Sequence, residues 1–237
     1  MRLDKLLANM GYGSRKEMKK LLKSGAVIVE GTPAKEGKMQ IDPLKEEVTV
    51  NGEKIIYREF IYILLNKPPG VISATEDRQH ETVIDLLPVE LSVFDPFPVG
   101  RLDKDTEGLL LLTNDGQLSH QLLSPKKHVP KTYFATIDGE VTNEDAEAFK
   151  KGVMLDDGYV TKPADLIIIK SGTVSEIELT IMEGKFHQVK RMFQSVGKEV
   201  TYLKRLSMGS LKLDPSLALG EFRELTPHEL EQLQNGK

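Results

Sequence analysis

The chain has 237 residues, 29% of them charged, a formal net charge of −4 and no cysteine. That length allows a large domain or a large and a small one; the acidic total excludes a uniformly basic nucleic-acid coat, and the missing thiols exclude disulfides and thiolate metal sites. No segment approaches the roughly 18 apolar residues of a membrane span, and Met1-Arg2-Leu3-Asp4-Lys5 lacks a signal-peptide apolar region, so a cytoplasmic protein is expected.

Leu3, Leu6, Leu7 and Met10 recur at helical spacing, and Gly11-Tyr12-Gly13 ends that helix. Ser14-Arg15-Lys16-Glu17 is a capping-box sequence that opens a second helix, with Met18, Leu21 and Leu22 facing inward and Gly25 as its stop. Its other face carries Arg15, Lys16, Lys19, Lys20 and Lys23, a cationic ridge with only Glu17 as a local partner. Residues 1–24 hold seven Lys or Arg against two acids, net +5, and Arg2 belongs to that set. Residues 185–205 hold six against one, again +5, while 138–158 is acidic. Two basic patches on an acidic protein point to a localised polyanion contact, because phosphate neutralisation acts through local charge. Short strands are expected at 27–29 and 48–50 around a turn at Gly31, and residues 51–60 form a polar connector.

A strand over 61–65 runs into Asn66-Lys67-Pro68-Pro69-Gly70, a rigid turn that would present Lys67 to a polyanion. Next comes Gly100-Arg101-Leu102-Asp103-Lys104-Asp105-Thr106-Glu107-Gly108, followed by Leu109-Leu110-Leu111-Leu112. Three carboxylates against an apolar strand are costly unless solvated or paired, so this loop reads as a solvated turn, a calcium loop or a catalytic carboxylate held by a cation. The calcium reading places Asp103, Asp105, Glu107 and Gly108 at EF-hand positions. It then requires a bidentate glutamate where Asn114 stands and a helix where the leucine run stands. Further strands are expected at 109–113, 133–137, 166–169 and 176–181, with helices near 82–87, 144–151 and 187–196. The irregular alternation predicts an α+β fold around a mixed, mainly antiparallel sheet. The five histidines show no metal-ligand spacing.

Two short helices with a basic second helix, then strands, with Arg2-Leu3-Asp4-Lys5-Leu6-Leu7, Ser14-Arg15 and Gly25-Ala26-Val27, resemble the small RNA-binding domain shared by a primary small-subunit ribosomal protein and many bacterial RNA-modifying enzymes. Glu30-Gly31 departs from the Asn-Gly turn usual there. Lys67-Pro68-Pro69-Gly70, the 100–116 segment, Lys131-Thr132-Tyr133 and Glu183-Gly184-Lys185-Phe186-His187-Gln188-Val189-Lys190-Arg191-Met192-Phe193 together resemble bacterial ribosomal-RNA pseudouridine synthases, in the branch named after the small-subunit enzyme. The resemblance spans essentially the whole chain. It implies a small RNA-binding domain over 1–59 and a catalytic domain over 60–237, with flanking helices and a central cleft.

What the resemblance implies chemically is an isomerisation. The bond from the ribose anomeric carbon to N1 of uracil breaks, the base turns over, and it rejoins through C5, with no redox change and no group added; neither cofactor nor metal is required. A carboxylate at an anomeric centre acts as nucleophile or as stabiliser of an oxocarbenium-like state. The family motif places the essential acid after Arg-Leu, which selects Asp103 over Asp105 and Glu107 and leaves open attack on the sugar, attack on the base or removal of a ribose proton. The basic partner falls on Lys190, and the tyrosine that stacks on uracil and is a candidate base falls on Tyr133. A uridine in folded RNA must be extruded; Arg101 is placed to fill the gap or hold a phosphate. Lys67, Lys126, Lys127, His187 and Arg191 are expected RNA contacts, with Arg2, Arg15, Lys16, Lys19 and Lys20 in the first domain. The expected partner is ribosomal RNA or an assembly intermediate, bound by a monomer. Residues 77–83 look closer to the small-subunit enzyme than to large-subunit relatives. The rivals are the same reaction on large-subunit RNA, and a non-catalytic RNA-binding assembly factor.

Overall fold

The structure is a computed structural model describing residues 1–235, with the side chain of Arg15 outside the described residues. In chain order the elements are α1 (Leu3–Asn9), α2 (Arg15–Lys23), β1 (Val27–Val29), β2 (Thr32–Pro33), β3 (Val48–Val50), β4 (Glu53–Lys54), β5 (Tyr62–Lys67), α3 (Val89–Ser92), β6 (Phe97–Pro98), β7 (Glu107–Thr113) and α4 (Gly116–Leu123). There follow β8 (Lys131–Asp138), α5 (Asn143–Lys151), β9 (Asp165–Lys170), β10 (Val174–Ile181), α6 (Gln188–Ser195), β11 (Glu199–Met208), β12 (Leu211–Lys212), β13 (Phe222–Glu224) and α7 (Pro227–Asn235). The chain divides into two compact units, Met1–Ile61 with Leu87–Pro96, and Tyr62–Leu86 with Phe97–Lys237. Among the described residues no helix is long and apolar enough to cross a membrane.

The first unit is built as its periodicity dictates. Leu3, Leu6 and Leu7 of α1 and Met18 and Leu22 of α2 are buried together with Val27, Val29, Val48 and Val50 of the strands. The capping box at the start of α2 forms: Ser14 N donates to the Glu17 carboxylate at 2.7 Å, and hydrogen bonding by Ser14 holds that carboxyl below the usual glutamate range. The sheet order is β2-β1-β3-β4, so part of the expected connector pairs as an edge strand. Glu30 and Gly31 make a two-residue hairpin turn with φ of 48° and 74°. Glutamate tolerates the left-handed region less well than asparagine, but here its carboxylate accepts from the Glu47 amide, which gives the departure a local compensation. Lys16, Lys19, Lys20 and Lys23 are exposed, as an amphipathic helix requires.

The second unit is a nine-stranded mixed sheet whose main path is β13-β5-β7-β11-β8-β10-β9, with β12 added to β11 and β6 to β7. Every pairing in it is antiparallel except β7 with β11. β7 is the reason the leucine run exists: Leu109 to Leu112 are all fully buried, a pattern expected of a central strand covered on both faces. Leu109 and Leu111 pack with Leu118 and Leu122 of α4 and Leu233 of α7. β8 alternates instead, with Lys131, Tyr133, Ala135 and Ile137 buried and the residues between them partly exposed.

The expected helix near 82–87 is absent: that stretch forms turns, and Pro88 instead caps the single-turn α3. The Thr82 side chain and amide both donate to Asp85, so local side-chain bonds compete with helix formation there. The ten-residue β11, which bridges β7 and β8, lies outside the strands expected from sequence.

Gly108 marks the tightest point of the sheet. It has φ of 100°, and a Cβ added there would stand 2.3 Å from the Arg205 carbonyl oxygen and 2.8 Å from the Arg205 nitrogen. Gly108→Ala is therefore expected to pry β7 from β11 and lower unfolding free energy by about 2 kcal/mol or more, read by chemical denaturation.

Candidate active site

The loop from Gly100 to Gly108 is fixed by the segment that begins at Lys67. The last residue of β5, Lys67 is 0% exposed, and its ammonium donates to the carbonyls of Pro68 at 3.0 Å, Lys104 at 3.3 Å and Thr106 at 2.9 Å. Gly70 N donates to Lys104 O at 2.8 Å, and Ser73 Oγ both accepts from Leu102 N and donates to Leu102 O at 3.0 Å. The rigid Pro68-Pro69-Gly70 turn thus folds back to grip the acidic loop through its backbone. Lys67 accordingly does not reach RNA: the expected contact is corrected to an interior clamp, because its donors are satisfied and shielded from solvent. Burial pushes its pKa down to about 8, against the opposing pull of Asp105, Asp103 and Glu107.

With the backbone held, the three carboxylates diverge. Glu107 turns to Tyr202, whose hydroxyl donates to it at 2.7 Å. Asp105 is 71% exposed and takes both its oxygens to Lys190 Nζ, each at 2.7 Å; that hydrogen bonding, with the lysine's charge, holds it below the ordinary carboxylate range. Asp103 is 27% exposed. Lys190 Nζ stands 3.9 Å from its Oδ2 and His187 Nε2 stands 3.5 Å from its Oδ1. Among the described residues its carboxylate accepts no hydrogen bond. Lys190 therefore approaches Asp103 as expected but spends its hydrogen bonds on Asp105. Three carboxylates pointing to different partners are not a calcium loop.

α6 brings the cations to this loop. His187 precedes the helix in the left-handed conformation, φ 48° and ψ 33°, and its ring stacks on Phe186 with centroids 3.8 Å apart. Gln188 is buried; its Oε1 accepts from Lys185 N at 2.8 Å and its Nε2 donates to Glu183 at 2.8 Å. Glu183 also accepts from Tyr159 Oη at 2.6 Å and Lys162 N at 3.0 Å. This network ties the entry to α6 onto the 156–162 loop.

Tyr133 stands on β8 beside Arg205 of β11 and Leu179 of β10, and Arg205 in turn pairs with Gly108. The row Gly108, Arg205, Tyr133, Leu179 crosses the sheet from the end of the acidic loop. Tyr133 is 7% exposed and, among the described residues, its side chain makes no hydrogen bond. Arg205 is 2% exposed and donates from Nε to Leu109 O at 2.7 Å. Lys131 lies two residues before Tyr133, and burial, with the Arg205 charge, pushes it down to about 8.

Residues 61–195 match the RNA pseudouridylate synthase family, and residues 1–43 match the S4 domain. The chain belongs to the RNA pseudouridine synthase family. Members of this family are isomerases, and the chain is an enzyme of that class with an N-terminal RNA-binding domain. It is 60% identical to an uncharacterized RNA pseudouridine synthase of Bacillus subtilis over 98% of both chains. It is also 40% identical to ribosomal small subunit pseudouridine synthase A of Escherichia coli, over 97% of this chain and 98% of that one. A crystal structure of a pseudouridylate synthase superposes with a TM-score of 0.69 at 38% identity, covering 98% of this chain and 99% of that one.

In this pseudouridine synthase the second basic patch is largely consumed internally. Arg191 bonds Asp156 and stands 2.7 Å from Asp157, Lys198 pairs with Asp145 at 2.8 Å, and Arg205 is buried. Arg191 is thus already paired where a phosphate contact was expected. Arg101, Lys126 and Lys127 are exposed and unpaired among the described residues, and Arg2 pairs with Asp4. Sequence reasoning missed Ser73, Glu183, Gln188 and Arg205. Glu183 and Gln188 lay inside a quoted motif, but nothing local marks an acid or amide as buried. Arg205 shares strand parity with Leu203, a signal that the basic run obscured.

Replacing Lys67 by Met leaves three carbonyls without their donor and is expected to lower stability by about 2–4 kcal/mol. Native Lys67 titrates at about 8, against about 10.4 in the unfolded chain. Between those values the unfolded chain holds the extra proton, so stability from this group rises with pH. The gap between wild type and Lys67→Met is expected to widen from about pH 8 to pH 10 in denaturant titrations.

Proposed function

We propose that the chain converts a uridine of small-subunit ribosomal RNA to pseudouridine, with Asp103 as the essential acid and no cofactor. The observation that carries this reading is the contrast between Asp103 and Asp105. A carboxylate that engages an anomeric carbon, a base or a ribose proton needs an ionised oxygen with free lone pairs. Asp105 is 71% exposed and engages Lys190 through both oxygens, whereas Asp103 is 27% exposed, lies beside Lys190 and His187, and its carboxylate accepts no hydrogen bond among the described residues. Lys190 and His187 stand beside it, at 3.9 and 3.5 Å, without occupying its oxygens by hydrogen bonds.

Around that acid the remaining roles follow from position. Tyr133, third in the row that starts at Gly108, is the residue to stack on uracil and, through its phenolic oxygen, the candidate base for the C5 proton when C5 joins the ribose. Arg101, exposed two residues before Asp103, takes the space of the extruded nucleotide or a neighbouring phosphate. Lys126 and Lys127 extend the basic surface along the backbone. Arg2 and the α2 ridge dock the first domain, which raises the local concentration of the target without new contacts at the reacting atoms. Small-subunit RNA is favoured because the Escherichia coli relative, alike over nearly its whole length, is named for it.

Asp103→Asn is expected to reduce pseudouridine formation by about three orders of magnitude or more with RNA binding retained. Asp105→Asn is expected to stay within about ten-fold of wild type, since an exposed pair contributes little. Base mapping of unmodified small-subunit RNA after incubation reads both, and normal turnover by Asp103→Asn defeats the assignment. Joint Lys19→Glu, Lys20→Glu and Lys23→Glu is expected to weaken RNA binding and flatten its salt dependence by a slope of about 0.7 or more per charge, while saturating turnover is kept. An unchanged salt slope removes the docking role.

A further inference from the structure

Phe186 is 67% exposed and next in the chain to His187, whose Nε2 stands 3.5 Å from Asp103, and three separate constraints hold it. It stacks on the His187 ring with centroids 3.8 Å apart and planes 18° from parallel. His187 itself sits in the left-handed region at φ 48°, a conformation that non-glycine residues adopt mainly where surrounding contacts impose it. The Phe186 carbonyl accepts from Arg191 Nη1 at 3.3 Å, and Arg191 is anchored by Asp156 and Asp157. Single exposed apolar residues are ordinary on protein surfaces. One that is fixed by a stack, a strained neighbour and a clamped carbonyl, one residue from a histidine at 3.5 Å from Asp103, is a different case.

We propose that Phe186, backed by His187, is a platform on which a nucleobase flanking the target uridine stacks, making it a positioning residue for RNA. This inference rests on RNA being the substrate. Extruding a uridine from RNA strips its neighbours of a stacking partner, and that lost contact opposes extrusion. A preformed aromatic face restores it. Because every base has a π-face, the platform adds affinity without reading sequence, and leaves sequence choice to other contacts. The parallel Phe186–His187 pair presents its outer face to solvent, so a base added there extends an existing stack. The ordering cost falls on the folded protein rather than on the complex.

The chain contains no tryptophan, which gives a direct test. In Phe186→Trp the single tryptophan is expected to be quenched on titration with unmodified small-subunit ribosomal RNA. A control Ile169→Trp, on the exposed face of β9, is expected to be unaffected. In steady-state assays on the same RNA, Phe186→Ala and Phe186→Leu are expected to raise KM about ten-fold or more with kcat within about two-fold, while Phe186→Tyr and Phe186→Trp remain near wild type. Melting temperatures should agree within about 2 °C, since the ring is exposed. Leucine separates stacking from apolar packing: a wild-type KM for Phe186→Leu, or no quenching of Phe186→Trp, overturns the proposal. A wild-type chain that forms no pseudouridine on this RNA would defeat the catalytic reading alone, because the tryptophan titration still reports on the platform.

Discussion

An ammonium with no access to water, bonded to three backbone carbonyls, underlies the organisation of the catalytic unit. Lys67 ends β5 under the acidic loop and fixes Lys104 and Thr106 by their carbonyls, while Ser73 fixes Leu102 on the other side of Asp103. The backbone flanking Asp103 is therefore specified by bonds that involve none of the three carboxylates. That arrangement lets the acids diverge, Glu107 to Tyr202 and Asp105 to Lys190, with Asp103 beside Lys190 and His187 but hydrogen-bonded to neither. A buried cation is costly in isolation, and here the oxygens of the loop and the nearby carboxylates offset part of that cost, the remainder showing in a pKa pushed down to about 8. Gly108 continues the same logic at the loop's other end, where the sheet is too close for any side chain.

Charge is distributed in this protein according to whether it must stay available. Of the cations of 185–205, Lys190, Arg191 and Lys198 are paired with carboxylates and Arg205 is buried. The lysines of α2 are exposed on one face, an arrangement suited to a polyanion that is bound and released. Net charge hides this division, and so does a local count of lysines and arginines. Each basic segment totals +5 by sequence, yet only the first keeps most of its charge at the surface.

Much of the architecture was legible because periodicity carries it. Helical spacing in α1 and α2, the capping box, the four-leucine run of β7 and the alternation of β8 and β10 each follow from one rule applied to adjacent residues. The helix expected near 82–87 did not form because Thr82 and Asp85 bond locally, a preference that apolar spacing does not reveal. β11 was missed because Tyr202, Lys204 and Arg205 break the hydrophobic pattern, their positions being set by partners on β7 and β8. At the site, the approach of Lys190 to Asp103 was foreseeable from motif order, whereas His187, expected as an RNA contact, stands 3.5 Å from Asp103. The inward turn of Lys67 was not, since a lysine beside two prolines looks exposed until the chain that buries it is in place.

The central claim is that Asp103 alone among the three acids drives the exchange of a carbon–nitrogen for a carbon–carbon glycosidic bond. That exchange expels the C5 hydrogen of the target uracil, so small-subunit RNA transcribed with 5-tritiated uridine gives a direct readout. Release of tritium to water by wild type and by Asp105→Asn, and none above background by Asp103→Asn, is the result this account predicts. Equal release by Asp103→Asn and wild type, or loss confined to Asp105→Asn, would contradict it.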